Sequence, residues 1–380
     1  MLRIALVTNH PPPFRIPIYE RIAEAPDVDL HAVFCSRREP NRKWDVPPLP
    51  FNHRFLKERF VARGSNFIHN NPDVFGQLQR IKPDVIVTTG FNPTHLYAFA
   101  YAQFKGIPHV PMTDGTEVSE RGLSRMHKLI RRIIYARSAA FIAASRGGLR
   151  LYRSYGIDPE HCFQSCLCID NHAYEEVRVE AEPPRFDLVF CARMVAEKNP
   201  LFALHVAASL AMRIGRTVRI LFVGSGDAEQ AVRACAARYP ELIEAEFHGH
   251  AEQNELPHLY RSARLFLFPT QADVWGVVAN EACAAGLPIL VSPHAGVAGE
   301  LIVDGENGYV LPLDVEQWAA RAAELLTDET LYRRFAARSL ALVRRYTFEH
   351  AANGIIDACR HAAGNSAQRR AMPARHKAGA

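Results

Sequence analysis

Short apolar runs alternate with segments of helical composition along most of this chain. The alternation is clearest between Ala263 and Leu311, where the apolar residues 265–268 end at a proline and residues 289–291 are apolar again. Residues 277–285 have helical composition and stop at Gly286. Because continuous apolar runs suit strands that are buried on both faces, the pattern predicts a strand, a helix and a second strand of one parallel sheet.

The same alternation forms two series of predicted strands and helices. Residues 3–8 and 107–112 are apolar strands of the first series, and the second series has comparable runs. Residues 171–185 are acidic, contain Pro-Pro and lack periodicity, which is typical of a linker. Strands that alternate with helices indicate doubly wound parallel sheets. We therefore predict two α/β domains, residues 1–170 and 186–345.

Composition narrows the class of protein. The chain has 380 residues, of which 48% are hydrophobic and 22% charged, as in a soluble protein of two domains. No apolar run approaches the ~20 residues that span a bilayer, and the start MLRIALVTNH is predicted to be a strand rather than a signal. We expect a cytoplasmic protein. A net charge of only +5, without aromatic residues between the basic ones, argues against nucleic acid as a partner.

The eight cysteines agree with a reducing compartment. Four lie in apolar stretches, as small buried side chains do. These four are Cys35, Cys191, Cys235 and Cys283. A second group could suggest a metal site but lacks the Cys-x-x-Cys spacing of zinc sites, so we expect no metal there. This group consists of His161, Cys162, Cys166 and Cys168.

Candidate chemistry follows the strand at 265–268, since parallel sheets bind ligands beyond the carboxyl ends of their strands. Asp273 lies in the loop, and Glu281 follows eight positions later, about one turn into the helix. At a helical rise of ~1.5 Å per residue, plus a loop segment, the two carboxyl groups are predicted to lie roughly 10 Å apart. They would therefore contact two different parts of one extended ligand. The backbone N–H groups of Trp275, Gly276 and Val277 open the helix and favour a phosphate.

This stretch resembles the nucleotide-sugar site of retaining glycosyltransferases of family 4, the glycosyl transferases group 1. The resemblance rests on an acid, seven residues, Glu281, and then small residues ending in Gly-Leu-Pro. It implies the GT-B fold, in which two Rossmann-like domains face a central cleft. It also implies that the first acid contacts sugar hydroxyls and that Glu281 contacts the ribose. The first acid is Asp273 where the family usually has Glu; this shorter carboxylate can still accept hydroxyl hydrogen bonds.

Further residues of the second domain fit the resemblance. Arg193 and Lys198 follow a predicted strand as the family's Arg and Lys do, and two fixed cations can stabilise the departing diphosphate without a metal. The Gly224-Ser225-Gly226 turn lacks the third glycine of a dinucleotide fingerprint. By resemblance it closes around the donor. Gly249 and His250 stand where the family's backbone meets the base.

The first domain fits the family loosely. Its first loop has three prolines where members often have Gly-Gly, which stiffens it. Asn9, His10 and Arg15 in this loop either contact substrate or merely tie the loop down. Asp114 follows a predicted strand at a place where many members have a sugar-contacting His. Its carboxylate can accept from a sugar or acceptor hydroxyl, serve as a base, or belong to a plain turn.

Two other features of the first domain invite functional interpretation. Asp27-Val28-Asp29 matches the DxD metal signature of the other large glycosyltransferase fold, but it precedes an apolar strand, so we expect a solvated turn. Residues 121–137 form a basic amphipathic helix with apolar residues at helical spacing and no acid. This helix either lies on an anionic membrane or packs on the domain with its cations solvated.

The resemblance also implies what the rest of the chain does. Residues 346–363 are expected to form a helix that packs back on the first domain, and 364–380 to be a disordered tail. The implied reaction moves a sugar from a UDP-, GDP- or ADP-sugar to a hydroxyl of a glycan or lipid-linked acceptor, in polysaccharide or lipopolysaccharide assembly. No separate cofactor or metal is implied. A sugar-nucleotide epimerase, a phosphorylase or a donor-binding partner subunit without turnover remain alternatives.

Overall fold

The computed structural model describes residues 1–40, 46, 48–63, 66–176 and 184–371. It divides into two compact units. The first unit contains Met1–Leu167 and Phe348–Ala380, and the second contains Cys168–Thr347. The chain therefore leaves the first unit and returns to it.

The first unit is built on a seven-stranded sheet whose neighbouring strands are parallel. Its strand order is β3-β2-β1-β6-β7-β8-β9, and β4 and β5 form a separate antiparallel hairpin. The strands are β1 (Leu2–Thr8), β2 (Val28–Phe34), β3 (His53–Phe55), β4 (Phe60–Arg63), β5 (Asn66–His69), β6 (Val85–Thr88), β7 (His109–Thr113), β8 (Phe141–Ala143) and β9 (Cys162–Gln164). The helices are α1 (Ile16–Glu24), α2 (Val74–Ile81), α3 (Pro93–Lys105), α4 (Glu117–Arg121), α5 (Arg125–Tyr135) and α6 (Arg146–Ser154).

The second unit has a six-stranded parallel sheet of order β12-β11-β10-β13-β14-β15. Its strands are β10 (Phe186–Cys191), β11 (Val218–Val223), β12 (Ile243–Gly249), β13 (Ala263–Phe268), β14 (Ile289–Val291) and β15 (Gly308–Val310). Its helices are α7 (His172–Glu176), α8 (Pro200–Ile214), α9 (Glu229–Ala236), α10 (Leu256–Arg261), α11 (Val277–Ala284), α12 (Val315–Thr327) and α13 (Glu329–Val343). The strand order reverses direction between β10 and β13, and such a switch point is where doubly wound sheets bind ligands.

The strand–helix–strand unit predicted from the apolar pattern is confirmed as β13, α11 and β14. Residues 265–268 are buried, as expected for a strand covered on both faces. Gly276 precedes α11 with a φ of +102°. A Cβ atom at this position would lie 2.3 Å from Cε1 of Phe268, so only glycine lets the chain turn so tightly from loop into helix.

The structure differs from the sequence prediction at the boundary between the units. Residues 171–185 were predicted as a linker, but α7 occupies 172–176 and Tyr174 is buried in the second unit. The Arg261 guanidinium group donates a hydrogen bond to the carbonyl of Tyr174 at 3.1 Å, and this bond fixes α7 to α10. Residues 177–183 of the predicted linker lie outside the described residues. This acidic, aperiodic segment thus contains one buried aromatic residue, Tyr174, which attaches it to the second unit.

The last helix, α14 (Phe348–Ala371), belongs to the first unit. A Cβ at Gly354 would lie 1.8 Å from the carbonyl oxygen of Gln164, so the helix and the end of β9 are in close backbone contact. The helix extends beyond residue 363, where a disordered tail was predicted, because alanine, glutamine and arginine are good helix formers. Residues 372–380 lie outside the described residues.

The prediction of a solvated turn at Asp27-Val28-Asp29 needs correction. Asp29 does not lie in a solvated turn, since β2 begins at Val28 and the Asp29 carboxylate pairs with Arg3 Nε at 2.7 Å. Asp27 pairs with Arg360 at 2.7 Å. Residues 292–300 form turns whose backbone holds the loop after β13.

Candidate functional site

Two predicted site residues meet at the switch point of the second sheet. Lys198 follows β10 and Asp273 follows β13, and Lys198 Nζ lies 2.9 Å from Asp273 Oδ2. The same ammonium group donates to the carbonyl of Ala272 at 3.0 Å. Both side chains are largely shielded from solvent. A cation and a carboxylate, predicted to contact different parts of a ligand, therefore form one ion pair.

The loop that carries Asp273 is fixed from both sides. Its Oδ1 accepts from the backbone N–H of Trp275 at 3.1 Å, and its backbone bonds to His294 and Gly296 at 3.1 and 2.9 Å. The Trp275 ring is buried and donates through Nε1 to Asn280 at 2.8 Å. The amide and the ring of Trp275 are thus both engaged within the protein, which differs from the prediction of a free phosphate donor.

The N-terminus of α11 provides open backbone donors beside this loop. Within the described ranges, the N–H groups of Gly276, Val277 and Val278 make no hydrogen bond to the protein. They belong to the first turn of a helix, where N–H groups have no intrahelical partner and the helix dipole favours an anion. Gly276 and Val277 therefore retain the predicted capacity to bind phosphate.

Glu281 is buried in the same helix. Its carboxyl group accepts a hydrogen bond from the Tyr260 hydroxyl at 2.8 Å. Burial raises the pKa of Glu281 to about 7, although hydrogen bonds from Tyr260 and Gln253 act in the opposite direction. The nearby Tyr174 hydroxyl is buried and has no hydrogen-bond partner among the described residues. Glu281 and Tyr174 thus form a buried pair of polar groups beneath the first turns of α11.

The raised pKa of Glu281 predicts a pH-dependent stability. Between pH 4.5 and about 7 the folded protein holds a proton that the unfolded chain has released, so the free energy of unfolding falls as pH rises through this window. Glu281→Gln should remove this slope. The free energy of unfolding of the variant minus that of the wild type should therefore be larger at pH 8 than at pH 5, by up to about 3 kcal/mol. Thermal unfolding at both pH values measures this difference. The exposed Glu241→Gln serves as control, and an unchanged slope in Glu281→Gln would contradict the prediction.

Arg193 is held by its backbone while its side chain is exposed. The flanking amides of Ala192 and Met194 donate to the carbonyls of Val223 and Ser225 at 3.1 and 2.9 Å. Its guanidinium group has no hydrogen-bond or ion-pair partner in the part of the chain that the structure describes. Arg193 is therefore a positioned cation with a free head group.

The predicted glycine turn explains how that position is fixed. A Cβ at Gly224 would lie 2.0 Å from the Ala192 carbonyl oxygen, and one at Gly226 would lie 2.3 Å from that of Met194. The Gly224 N–H also donates to the Gly249 carbonyl at 2.6 Å. These glycines let the turn approach the segment around Arg193, and His250 next to Gly249 is exposed.

Comparison with known proteins bears on what this arrangement binds. Residues 175–340 match the family model of "Glycosyl transferases group 1". This segment, which is less than half of the chain, is similar to the group 1 glycosyl transferases. The match contains every predicted site residue of the second unit, from Arg193 to Glu281.

Curated relatives match the chain in part. It is 30% identical over 177 residues to a D-inositol 3-phosphate glycosyltransferase of Nocardia farcinica, covering 45% of this chain and 39% of the relative. It is 28% identical over 182 residues to the putative colanic acid biosynthesis glycosyltransferase WcaL of Salmonella typhimurium, covering 45% of this chain and 44% of the relative. The chain thus spans less than half the length of these two relatives.

Solved structures extend the likeness to the fold of nearly the whole chain. The crystal structure of Anabaena Alr3699/HepE in complex with UDP and glucose superposes with a TM-score of 0.70 at 15% identity. The match covers 95% of this chain and 100% of the other. The chain therefore has the α/β fold of GT-B glycosyltransferases, as predicted.

Asp114, the remaining predicted site residue, lies in the first unit. It follows β7, and its Oδ1 accepts from Arg15 at 2.6 Å. Arg15 is buried, so the loop residue that the sequence left ambiguous is an internal partner of Asp114. Asn9 accepts from Asn92 at 3.1 Å, which ties the proline-rich loop to the start of α3.

Sequence reasoning missed two residues of the candidate site. Tyr174 and Tyr260 surround Glu281, but neither belongs to a local motif. Their only signal is an aromatic residue in an otherwise polar segment, which does not show where a hydroxyl points. Among the described residues, no group of three or more His, Cys, Asp or Glu side chains is placed to hold a metal ion.

Proposed function

We propose that this chain is a retaining glycosyltransferase that uses a nucleoside diphosphate sugar. The observation that carries the proposal is the Lys198–Asp273 ion pair beside the open N–H groups at Gly276, within a segment that matches group 1 glycosyl transferases. A buried cation and oriented amides together suit a diphosphate. The HepE structure is a complex with UDP and glucose, and this supports the same donor class here.

The proposed donor site uses the predicted residues in separate roles. Lys198, the exposed head group of Arg193 and the N-terminus of α11 would hold the diphosphate. Glu281 would bind the ribose hydroxyls, and the Gly224, Gly226 and Gly249 turns with His250 would lie beside the base. Asp273 would accept hydrogen bonds from the transferred sugar. Because Asp273 and Lys198 are paired, a sugar bound at Asp273 would bring its diphosphate close to the ammonium group.

The proposed reaction needs no protein nucleophile or metal. The bond between the anomeric carbon and the diphosphate oxygen breaks, and the acceptor oxygen bonds to that carbon on the same face. The departing phosphate oxygen takes the acceptor's proton. Charge accumulates on the diphosphate as its bond breaks, and fixed cations stabilise that charge more in the transition state than in the ground state. The acceptor would be a hydroxyl of a glycan or lipid-linked molecule in cell-surface polysaccharide or lipopolysaccharide assembly, a class supported by the name of WcaL.

Two measurements test the proposal. Thermal shift with a panel of UDP-, GDP- and ADP-sugars should show stabilisation by at least one nucleotide, with EDTA present throughout. Release of that nucleotide should then depend on an added glycan or lipid-linked acceptor and persist in EDTA. No stabilisation by any of these donors would overturn the proposal, and activity that is lost in EDTA would overturn its metal independence.

A donor-binding partner subunit without turnover is the second candidate. The specific observation in its favour is that Asp273, which is shorter than the family's usual Glu, is already engaged with Lys198. This candidate predicts donor binding without acceptor-dependent release under any condition. A GT-B sugar-nucleotide epimerase instead predicts conversion of the donor sugar without any acceptor. Analysis of the same reaction mixtures for free nucleotide and for a new sugar nucleotide separates the three.

We also propose that the chain works as a peripheral protein on the cytoplasmic face of an anionic membrane. No helix in the described residues is both long and apolar enough to cross a bilayer. Helix α5 instead buries Ile134 on one side and exposes Met126, Leu129 and Ile133 on the other, to 63%, 50% and 45%. The exposed apolar stripe has basic neighbours, including Arg125 and Arg132, as interfacial helices do.

One basic residue of this helix does not fit the predicted solvated cluster. Arg131 pairs with Glu120 of α4 and its guanidinium group stacks 4.7 Å from the ring centroid of Phe91. It therefore helps to attach α5 to the unit, while the exposed stripe stays open. This arrangement combines both alternatives that the sequence offered, since one face packs on the domain and the other is free.

The membrane proposal predicts salt-sensitive binding to vesicles. The full chain should sediment with vesicles that contain phosphatidylglycerol and not with pure phosphatidylcholine, and about 0.5 M salt should weaken binding. Replacing Met126 and Leu129 by serine should reduce binding by about tenfold, because two apolar side chains no longer enter the interface. Met212→Ser, an exposed methionine of the second unit, is the control. Binding unaffected by the α5 substitutions would contradict the proposal.

A further inference from the structure

A hydrogen bond between two helices of the second unit ends at the buried carboxyl group of Glu281. The Tyr260 hydroxyl of α10 donates to Glu281 Oε2 of α11 at 2.8 Å. Tyr260 is 1% exposed and Glu281 is 6% exposed. Because Tyr260 is almost completely covered, it can influence a bound ligand through Glu281 and not by direct contact.

Packing fixes the Tyr260 hydroxyl before any ligand binds. The Tyr260 ring lies edge-to-face against Phe266 of β13, with ring centroids 5.6 Å apart, and its centroid is 6.4 Å from that of Tyr174 in α7. All three rings are buried. A side chain that is held in this way loses little conformational freedom when a ligand arrives, so its hydrogen bond to Glu281 is preorganised.

The position of Glu281 in α11 brings its carboxyl group towards the open end of that helix. Glu281 comes four residues after Val277, so the two lie on the same face, and helical side chains lean towards the N-terminus. The open N–H groups of the first turn are at that end. In a nucleoside diphosphate the ribose is joined to the phosphate through one carbon. A phosphate at these N–H groups therefore brings its ribose within reach of Glu281.

The groups that face Glu281 are neutral. Burial raises the pKa of Tyr174 in α7, of Cys191 in β10 and of Tyr260 in α10, so none of them is ionised near neutral pH. Gln253, which precedes α10, is a neutral hydrogen-bond donor to the carboxyl group. No cation among the described residues shifts the pKa of Glu281, so its ionised form depends on hydrogen bonds.

Hydrogen-bonding capacity distinguishes the two protonation states of this carboxyl group. An ionised carboxylate has about four acceptor positions and no proton. Tyr260 and Gln253 occupy two of them, which leaves about two. The 2′ and 3′ hydroxyl groups of a ribose provide two donors. Protonated Glu281 has fewer acceptor positions, and its bonds are weaker, since a bond to a charged acceptor is about twice as strong as one to a neutral acceptor.

We propose that Tyr260 is a positioning residue for donor binding: its hydroxyl holds one oxygen of the ionised Glu281 carboxylate and leaves acceptor positions for both ribose hydroxyls of a sugar nucleotide. This inference rests on the proposed function and adds to it a residue that does not touch the ligand. Burial raises the pKa of Glu281 to about 7, so part of the protein carries this proton near neutral pH. Donor binding favours the carboxylate, and the proton is then released to solvent.

Tyr260→Phe tests this role because it keeps the packed ring and removes the hydroxyl. In the wild type, affinity for the donor should rise by about tenfold between pH 6 and pH 8 as Glu281 ionises. Without the Tyr260 hydrogen bond the carboxylate is less favoured, so the midpoint of this rise should move up by about one pH unit. Calorimetry with UDP-glucose, GDP-mannose and ADP-glucose measures it, since their diphosphates do not titrate in this range.

Two further variants assign the pH dependence to Glu281. Glu281→Gln has no titrating carboxyl group at this place, so its affinity should not change between pH 6 and pH 8. The double variant Tyr260→Phe, Glu281→Gln should be equally insensitive to pH, because Tyr260 acts on the titration through Glu281. A Glu281→Gln variant that keeps the wild-type profile would assign the titration to another group, such as His250, and would overturn the inference.

Tyr309→Phe is the matched control. It removes the hydroxyl of another tyrosine–glutamate hydrogen bond in the second unit, between Tyr309 and Glu324 at 3.3 Å, and should leave the midpoint at its wild-type value. Melting temperatures show that each variant is folded under the conditions of the titration. Donor binding whose midpoint is unchanged in Tyr260→Phe would overturn this inference alone. The absence of wild-type binding to all three probes at pH 8 would overturn the proposed function and the inference with it.

Discussion

Lys198→Met should lower kcat for acceptor-dependent nucleotide release by about 10²–10³-fold, with a smaller effect on KM for the donor. Lys198 is a shielded cation with fixed partners at Asp273 and Ala272, so it needs no reorganisation when charge develops on a departing phosphate. Arg193→Met should act in the same direction but less strongly, because the Arg193 side chain is exposed and screened. Steady-state kinetics with the donor identified by thermal shift measures both variants.

The control for Lys198→Met is Lys105→Met, which removes an exposed cation at the end of α3. Its kcat should match the wild type. Asp273→Asn separates the two members of the ion pair: if Asp273 binds the sugar, this variant loses activity even though Lys198 remains. A Lys198→Met enzyme with wild-type kcat would show that the diphosphate is held elsewhere.

Gly276→Ala should destabilise the second unit by about 2–4 kcal/mol and abolish donor binding. The new Cβ would lie 2.3 Å from the Phe268 ring, at a backbone φ of +102° that non-glycine residues avoid. Overpacking a core costs about 1–3 kcal/mol and a strained backbone conformation about as much, and here both apply. Relief of the clash must move the buried Phe268 ring, β13 or the N-terminus of α11. We expect movement of the helix N-terminus, which displaces the proposed phosphate donors.

Gly249→Ala is the matched control for this substitution. Gly249 also has a positive φ, +82°, but a Cβ there has nothing within 4 Å. The control should therefore show only the backbone cost, about 1 kcal/mol. Thermal and urea unfolding followed by tryptophan fluorescence compares the two variants. Equal destabilisation would mean that the contact with Phe268 does not determine the requirement for glycine.

The sequence predicted those parts of the molecule that depend on neighbouring residues. The apolar run of β13 and the glycine before α11 are local signals, because burial on both faces and a positive φ each restrict the residues at one place. The spacing of Asp273 and Glu281 within one loop and helix is likewise a local signal, and their predicted separation depends on it alone. Each of these features depends on a short segment, so the order of residues within that segment was enough to locate it.

Partner choice across the fold could not be predicted in this way. Lys198 and Asp273 are 75 positions apart, and their pairing depends on the order of β10 and β13 in the sheet. Arg15 and Asp114 are 99 positions apart, so the loop arginine gave no sign of its buried partner. In both cases the sequence identified a charged residue at a strand end, while the sheet topology determined which opposite charge it met.

The return of the chain to its first unit has consequences for how the protein is made. Residues 168–347 emerge from the ribosome as one continuous block, so they can fold before synthesis ends. The N-terminal sheet must wait for α14, which is translated after that block and packs against β9 through Gly354. A nonsense mutation just before Phe348 would therefore damage the half of the protein that was synthesised first and spare the half that lies next to the stop codon.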